Sequence, residues 1–338
     1  MKKLIDSFGR EISYLRVSVT DRCNFRCIYC SPEDEHFCKI SHQDVLRYEE
    51  ILEAVKVSAQ LGMTKIRITG GEPLVRKGII SFIKSLNQIK EVQDISMTTN
   101  GYYLSDYALA LKKAGLNRVN ISLDSLQREK FIHITGRDGL TKVLQGIDEA
   151  LRLGLSPVKI NVVLLKGIND DEIENFIQLT QTKPLYIRFI ELMPTRSELK
   201  QINQGHFVSA KRLQEKIKPK YHSLQSASVA TGYGPAVYYQ LPDAKGMFGF
   251  IAAVSQHFCA RCNRIRLTSE GHLRPCLFSD KEIDLKERLR DVSQKETIKR
   301  RRIIQKALQE AVQQKPFQHK FMDGKNIISN FDMSRIGG

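Results

Sequence analysis

A chain of 338 residues can bury a large core and, at roughly 150 residues per domain, has room for about two domains. Its 53 Lys and Arg against 37 Asp and Glu give a net charge of +16, which favours anionic partners such as nucleotides or nucleic acid without choosing between them. No apolar run approaches the ~20 residues needed to cross a bilayer, and the start MKKLIDSFGR lacks the apolar stretch of a secretory leader, so a soluble, cytoplasmic chain without membrane partners is expected.

Short β-prone runs recur along the first two thirds: YLRVSV at 14–19, KIRIT at 65–69, DISMT at 94–98, RVNISL at 118–123, PVKINVV at 157–163 and YIRFI at 186–190. Helical stretches lie between them, such as the one placing Tyr48, Leu52, Val55 and Ala59 on one face. Strand and helix in alternation predict parallel β/α units. Strands covered by helices on both faces read as continuous apolar runs, and these do not. Leu15, Val17 and Val19, Ile66 and Ile68, Ile95 and Met97, Val119 and Ile121, and Val158, Ile160 and Val162 fall on one face. The other carries Arg16, Ser18, Lys65, Arg67, Thr69, Ser96, Thr98, Asn120, Ser122, Lys159, Asn161 and Arg188. With helices over the apolar face, the polar face must line an enclosed space, where so many donors need a polar ligand or water. The pattern predicts an α/β fold, an incomplete TIM-like (β/α)6 barrel with a wet, cationic lumen, over 1–205.

After about 205 the pattern loosens, with Gly232, Gly234, Pro235, Gly246 and Gly249 punctuating short strand-like pieces, so a smaller C-terminal α+β domain is expected over 206–338. Residues 280–315 read as charged helix, and the run Lys299 to Arg302 as a solvated face.

Seven cysteines, an odd number in two tight groups, do not form a disulfide framework. Cys23, Cys27 and Cys30 directly follow the first strand. Three thiolates so spaced can each bind one iron of a 4Fe-4S cube and leave the fourth iron open. Zinc with Cys38 as fourth ligand is the alternative, but the spacing lacks the paired two-residue gaps of ribbons and fingers. Cys259, Cys262 and Cys276 form a second triplet.

The C-x3-C-x2-C loop with Tyr29 before its last cysteine, the later ITGGEP at 68–73 and their place after the first strand resemble the radical S-adenosylmethionine superfamily. Glycine at 70 and 71 suits close approach of backbone to a methionyl group. HFCARCNRIRLTSEGHLRPCLF at 257–278 resembles the C-terminal motif of the GTP 3′,8-cyclase family, whose chains also end in two glycines, here Gly337 and Gly338. The resemblance covers essentially the whole chain.

It implies two 4Fe-4S clusters, on Cys23, Cys27 and Cys30 and on Cys259, Cys262 and Cys276, with S-adenosylmethionine on the open iron of the first and guanine at that of the second. In that family a 5′-deoxyadenosyl radical takes the C3′ hydrogen of GTP, and the sugar radical closes onto C8 as the first step of molybdenum cofactor synthesis. Tyr29, Gly71, Ser122 and Met193 match the family's S-adenosylmethionine contacts. Arg16, Arg67, Thr98, Lys159, Arg264 and Arg266 match its GTP contacts, and arginine forks suit phosphate oxygens. Arg264 and Arg266 stand two apart on a predicted strand, so they point the same way. A small electron-donor protein is expected as partner, a homodimer is allowed, and neither a catalytic acid nor base is assigned. The Phe331 to Gly338 tail is expected to enter the barrel. An RNA-acting radical enzyme or a non-catalytic iron-sulfur carrier would use the charge or the cysteines, but neither explains the lumen cations together with ITGGEP.

Overall fold

The apolar faces read from the sequence are the buried ones. In the computed structural model, which describes residues 3–30, 39–193, 205–217, 225–227, 234–256, 258–319 and 333–337, the predicted strands form as β1 (Tyr14–Ser18), β2 (Lys65–Thr69), β3 (Asp94–Thr99), β4 (Arg118–Ser122), β5 (Val158–Leu164) and β6 (Leu185–Glu191). Cys38, Phe331 and Gly338 lie outside the described residues. Leu15, Val17, Ile66, Ile68, Ile95, Met97, Val119, Ile121, Val158, Ile160 and Val162 are all within 2% of full burial. Each such side chain contributes roughly 1.5 to 3 kcal/mol of burial.

The covering helices are α1 (Tyr48–Gln60), α2 (Ile79–Asn87), α3 (Leu104–Ala114), α4 (Arg128–Thr135), α5 (Leu140–Arg152) and α6 (Ile173–Thr182). Their amphipathic spacing decides which face meets the sheet: α5 buries Leu140, Val143, Ile147 and Ala150, three or four residues apart. Adjacent strands pair in parallel from β1 through β6.

The remainder of the chain adds to both ends of this sheet. From β9 (Met247–Ile251) a parallel ladder runs to β6, and from β10 (Arg264–Leu267) another runs to β1, so six strands become eight consecutive parallel ones. Beyond them β7 (Gln225–Ala227) and β8 (Val237–Gln240) extend one end, and β11 (His272–Arg274) and β12 (Ile283–Asp284) the other, antiparallel. The order is β12-β11-β10-β1-β2-β3-β4-β5-β6-β9-β8-β7. At two of the punctuating glycines the origin is steric, since a Cβ at Gly249 would overlap the Val237 carbonyl across the β8 to β9 ladder and one at Gly246 the Leu185 carbonyl; Gly234 has open space around it, and Gly232 lies outside the described residues. The residues after 205 therefore share one sheet with those before it.

A helix at Thr297–Gln313 packs on α1. Here the charge run differs from its expected solvated face: Arg300 is buried, pairs with Glu53 at 2.6 Å and donates to the carbonyls of Leu289 and Val292, while Lys299, Arg301 and Arg302 stay exposed. A single arginine of the run faces inward because helical rotation turns residue 300 toward α1. Among the described residues, no helix is long and apolar enough to cross a membrane.

Candidate active site

Two cavities follow the lumen, one at each end of the strands. The larger, about 180 Å³, sits at the carboxyl ends and is lined by Cys23, Cys27, Tyr29, Cys30, Gly71, Thr98, Ser122 and Met193, among others. Carboxyl ends of barrel strands are where this architecture places its chemistry, because the β-to-α loops converge there. All the residues expected to contact S-adenosylmethionine thus surround one space with the first cysteine triplet, and Thr98, expected on GTP, opens into it too.

The loop that carries Cys23, Cys27 and Cys30 is held by backbone. Gly71 N donates to the Thr20 carbonyl at 2.8 Å and Glu72 N to that of Arg22 at 2.8 Å. A Cβ at Gly70 would overlap Thr20 O and one at Gly71 would overlap Arg22 O. The paired glycines are therefore required by the packing of this loop on the end of β2, whatever else approaches them. Glu72 is fully buried and accepts from Asn100 N at 2.6 Å, Thr99 Oγ1 at 2.8 Å and Leu74 N at 3.0 Å. Burial raises its carboxyl to about 7. Asn100 in turn donates to Asn24 at 2.8 Å, so a chain of hydrogen bonds ties the ends of β2 and β3 to the cysteine loop. Tyr29 donates to Asp124 at 2.6 Å, and the other Asp124 oxygen accepts from Val163 N at 2.7 Å. Burial lifts Asp124 to about 6 and, with Asp124 beside it, pushes the Tyr29 phenol well above its ordinary value.

The smaller cavity, about 40 Å³, lies two residues further down the strands, a step of ~7 Å from Asn161 to Lys159. Arg16, Lys65, Arg67, Arg118, Lys159, Arg188 and Arg264 line it with Tyr14 and Asn263, and among the described residues no lining group is acidic. The register brings them together: Arg16 pairs Arg266 on one side and Arg67 on the other, and Asn120 pairs Lys159. Burial holds Arg16 well below its usual value, and Arg266 and Arg67 add to that. Burial, then Arg188, Arg118 and Arg67, lowers Lys159 to about 7. Arg188 and Arg266 fall to about 10, burial first. Thr98 Oγ1, Arg188 Nε and Arg264 Nε are buried without a hydrogen-bond partner. So many cations forced together, with orphaned donors among them, fit a multiply charged anion.

Arg266 lies outside both linings and donates to the Gly337 carbonyl at 3.1 Å. A Cβ on Gly337, whose φ is +79°, would overlap Thr69. Met333 and Ser334 line the larger cavity, so the described part of the tail reaches the lumen. Tyr14, Lys65, Arg118 and Arg188 were not among the expected substrate contacts. Alternation had already put Lys65 and Arg188 on the lumen face, and counting back by two from Asn120 or Arg16 reaches Arg118 and Tyr14.

The second triplet flanks β10. Cys259 opens a short 3-10 turn ending at Arg261, Cys262 N donates to Cys259 O at 3.0 Å, and Cys276 follows β11. Burial would raise the Cys262 thiol, but Lys315 and Arg264 outweigh it and hold it down at about 7, so this sulfur is readily a thiolate. Burial instead raises Cys23 to about 11, with Glu72 adding to it, and lifts Cys27 well above its ordinary value. All six are free cysteines, neither deeply buried nor fully exposed. Among the described residues no group of His, Cys, Asp and Glu closes around a single ion. Thiolates each taking a separate iron need no such closure, so both triplets fit the cluster chemistry.

The radical SAM superfamily model matches residues 17–180, and the molybdenum cofactor synthesis C model matches 185–321. GTP 3′,8-cyclase of Alkaliphilus oremlandii (strain OhILAs) is 48% identical over 333 residues, covering 98% of this chain and 99% of the relative. The protein of the same name from Thermodesulfovibrio yellowstonii is 50% identical over 294 residues, 87% of this chain and 90% of the relative. Among solved structures, Streptococcus suis SuiB bound to its precursor peptide SuiA superposes with a TM-score of 0.58 at 13% identity, over 95% of this chain and 67% of that one, which speaks for the fold alone. With both family models matched in order and near half of all residues shared end to end, this chain belongs to the GTP 3′,8-cyclase family of radical S-adenosylmethionine enzymes.

Proposed function

We propose that this protein converts GTP to (8S)-3′,8-cyclo-7,8-dihydroguanosine 5′-triphosphate at the start of molybdenum cofactor synthesis, using S-adenosylmethionine and two 4Fe-4S clusters. The observation that carries the reading is the stacking of a three-cysteine cavity on one lined by seven cations within a single lumen. Cys23, Cys27 and Cys30 hold the first cluster, which when bound supplies the electron that cleaves S-adenosylmethionine. Tyr29, Gly71, Ser122 and Met193 surround that cofactor, with the Tyr29 ring fixed by Asp124. Arg16, Arg67, Lys159 and Arg264 take the triphosphate, and their convergence orients the nucleotide so that its ribose lies toward Thr98 and the cysteine loop. Cys259, Cys262 and Cys276 hold the second cluster at the far end of the lumen beside Arg264 and Arg266, where guanine can reach it.

A small electron-donor protein serves the first cluster, and the protein works in the cytoplasm. Incubating anaerobically reconstituted protein with GTP, S-adenosylmethionine and dithionite should yield 5′-deoxyadenosine and the cyclised nucleotide by mass spectrometry. Cofactor cleavage without any change in GTP would overturn the substrate.

A further inference from the structure

One buried lysine stands outside both cysteine motifs and both cavities. Lys315 follows the helix Thr297–Gln313, is only 3% exposed, and places its ammonium 3.7 Å from Cys262 Sγ, 2.8 Å from the Arg264 carbonyl and 2.9 Å from the Pro275 carbonyl. Pro275 directly precedes Cys276, and Arg264 lies two residues after Cys262. One ammonium thus bridges the two stretches of chain that carry the second triplet, with each of its three N–H donors used.

A second buried cation secures the lysine's own segment. Arg10, ion-paired with Asp6 at 2.6 Å, donates to the carbonyls of Pro316 at 2.7 Å and Phe317 at 3.1 Å, and also to the Cys259 carbonyl at 2.7 Å. Between them the two cations reach all three cysteine positions: Cys259 through its carbonyl, Cys262 through its sulfur, and Cys276 through its neighbour's carbonyl. Three separate stretches of chain meet there: 6–10, 259–276 and 315–317.

We infer that Lys315 is a positioning and tuning residue of the second cysteine triplet, holding its two arms in register and stabilising the reduced state of the cluster they bind. The inference rests on the reading that this triplet holds a 4Fe-4S cluster. Hydrogen bonds to cluster sulfurs and nearby charge are the protein's levers on reduction potential. A fixed positive charge in a poorly solvated site favours the form with one more electron. Arg264 and Arg266 are cationic neighbours as well, but Arg264 lines the cationic cavity, where a bound triphosphate would neutralise it, and Arg266 donates to the Gly337 carbonyl. Lys315 lines neither cavity, and its ammonium is committed to Cys262 and to the Arg264 and Pro275 carbonyls.

The test uses the full chain with Cys23, Cys27 and Cys30 replaced by Ala, so that any signal belongs to the second cluster. Reconstituted protein is titrated potentiometrically and followed by electron paramagnetic resonance, in the parent, in Lys315→Gln and in Lys315→Arg. Glutamine can still donate to the two carbonyls and so preserves the fold while removing the charge. We expect Lys315→Gln to be harder to reduce by about tenfold in equilibrium constant, ~59 mV for one electron, and Lys315→Arg to restore most of the difference. A folded Lys315→Gln chain that loads little iron, beside a loaded Lys315→Arg chain, equally supports the holding role. A loaded Lys315→Gln cluster with the parent's potential overturns the inference. A parent that binds no iron overturns the second-cluster reading and the inference with it, a result the iron assay separates from the former.

Discussion

On the proposed reading, the guanidinium forks and the two lumen lysines, Lys65 and Lys159, set the substrate chemistry, and their crowding makes it measurable. Each charge-assisted contact to phosphate contributes ~1.5 to 3 kcal/mol. Replacing Arg264 with Ala should weaken GTP binding about tenfold or more while leaving guanosine binding nearly unchanged, as read by calorimetry. Equal loss for guanosine would move this arginine away from the phosphates. Lys159 gives a pH signature. Its folded value, about 7, lies below its ordinary 10.5, so between those values the unfolded chain binds a proton that the empty folded protein does not. Stability of the empty protein should accordingly rise with pH across that window. A bound triphosphate restores the charge, so GTP binding should take up a proton above pH ~7 and weaken as pH climbs. Calorimetry in buffers of different ionisation enthalpy would detect the uptake, and Lys159→Arg should abolish it. Much of this chemistry was legible from alternation alone, which put Arg16, Arg67, Thr98, Ser122 and Lys159 on the lumen. Tyr14 and Arg118 escaped notice because each opens its strand, where an aromatic or a lone arginine reads as a boundary. The partner of Arg118, Asp94, is likewise a first residue, and their ion pair is formed only once β3 and β4 lie side by side.

At the scale of elements, the two cysteine triplets occupy loops at opposite ends of the barrel strands, the first after β1 and the second around β10. That separation predicts divided labour. Replacing Cys23, Cys27 and Cys30 together with Ala should abolish S-adenosylmethionine cleavage, while replacing Cys259, Cys262 and Cys276 should leave cofactor binding measurable and remove GTP turnover. Equal loss of cofactor affinity in both variants would contradict it. The six barrel strands could be read from sequence to within a residue of their observed ends because one face is apolar at every second position. A strand carrying Arg264 and Arg266 was expected, but the place of β9 and β10 beside β6 and β1 was not legible. Nothing local tells a four-residue strand which edge of a sheet it will join.

Among the described residues the named strands make one sheet that the chain enters in its middle and finishes at both ends. A chain cut after residue 205 would lose β9 and β10 and leave β6 and β1 as bare parallel edges, each offering unpaired backbone groups to other molecules. Such a fragment should sediment as aggregates, whereas the full chain should not; a soluble, folded fragment would show that the compositional break near 205 is a true domain boundary. The same arrangement has a consequence in time. β1 is made among the first residues, yet one of its two neighbours, β10, is some 250 residues further along the chain. At about 5 to 20 residues per second, that neighbour reaches the growing polypeptide roughly 10 to 50 s later. For that interval the strand that leads into the first cysteine loop is paired on one side only. Pairings between residues so distant in sequence are also slow to form after synthesis ends. Production of active protein should therefore depend on holding the nascent chain unaggregated during that wait, more than on the stability of the finished fold.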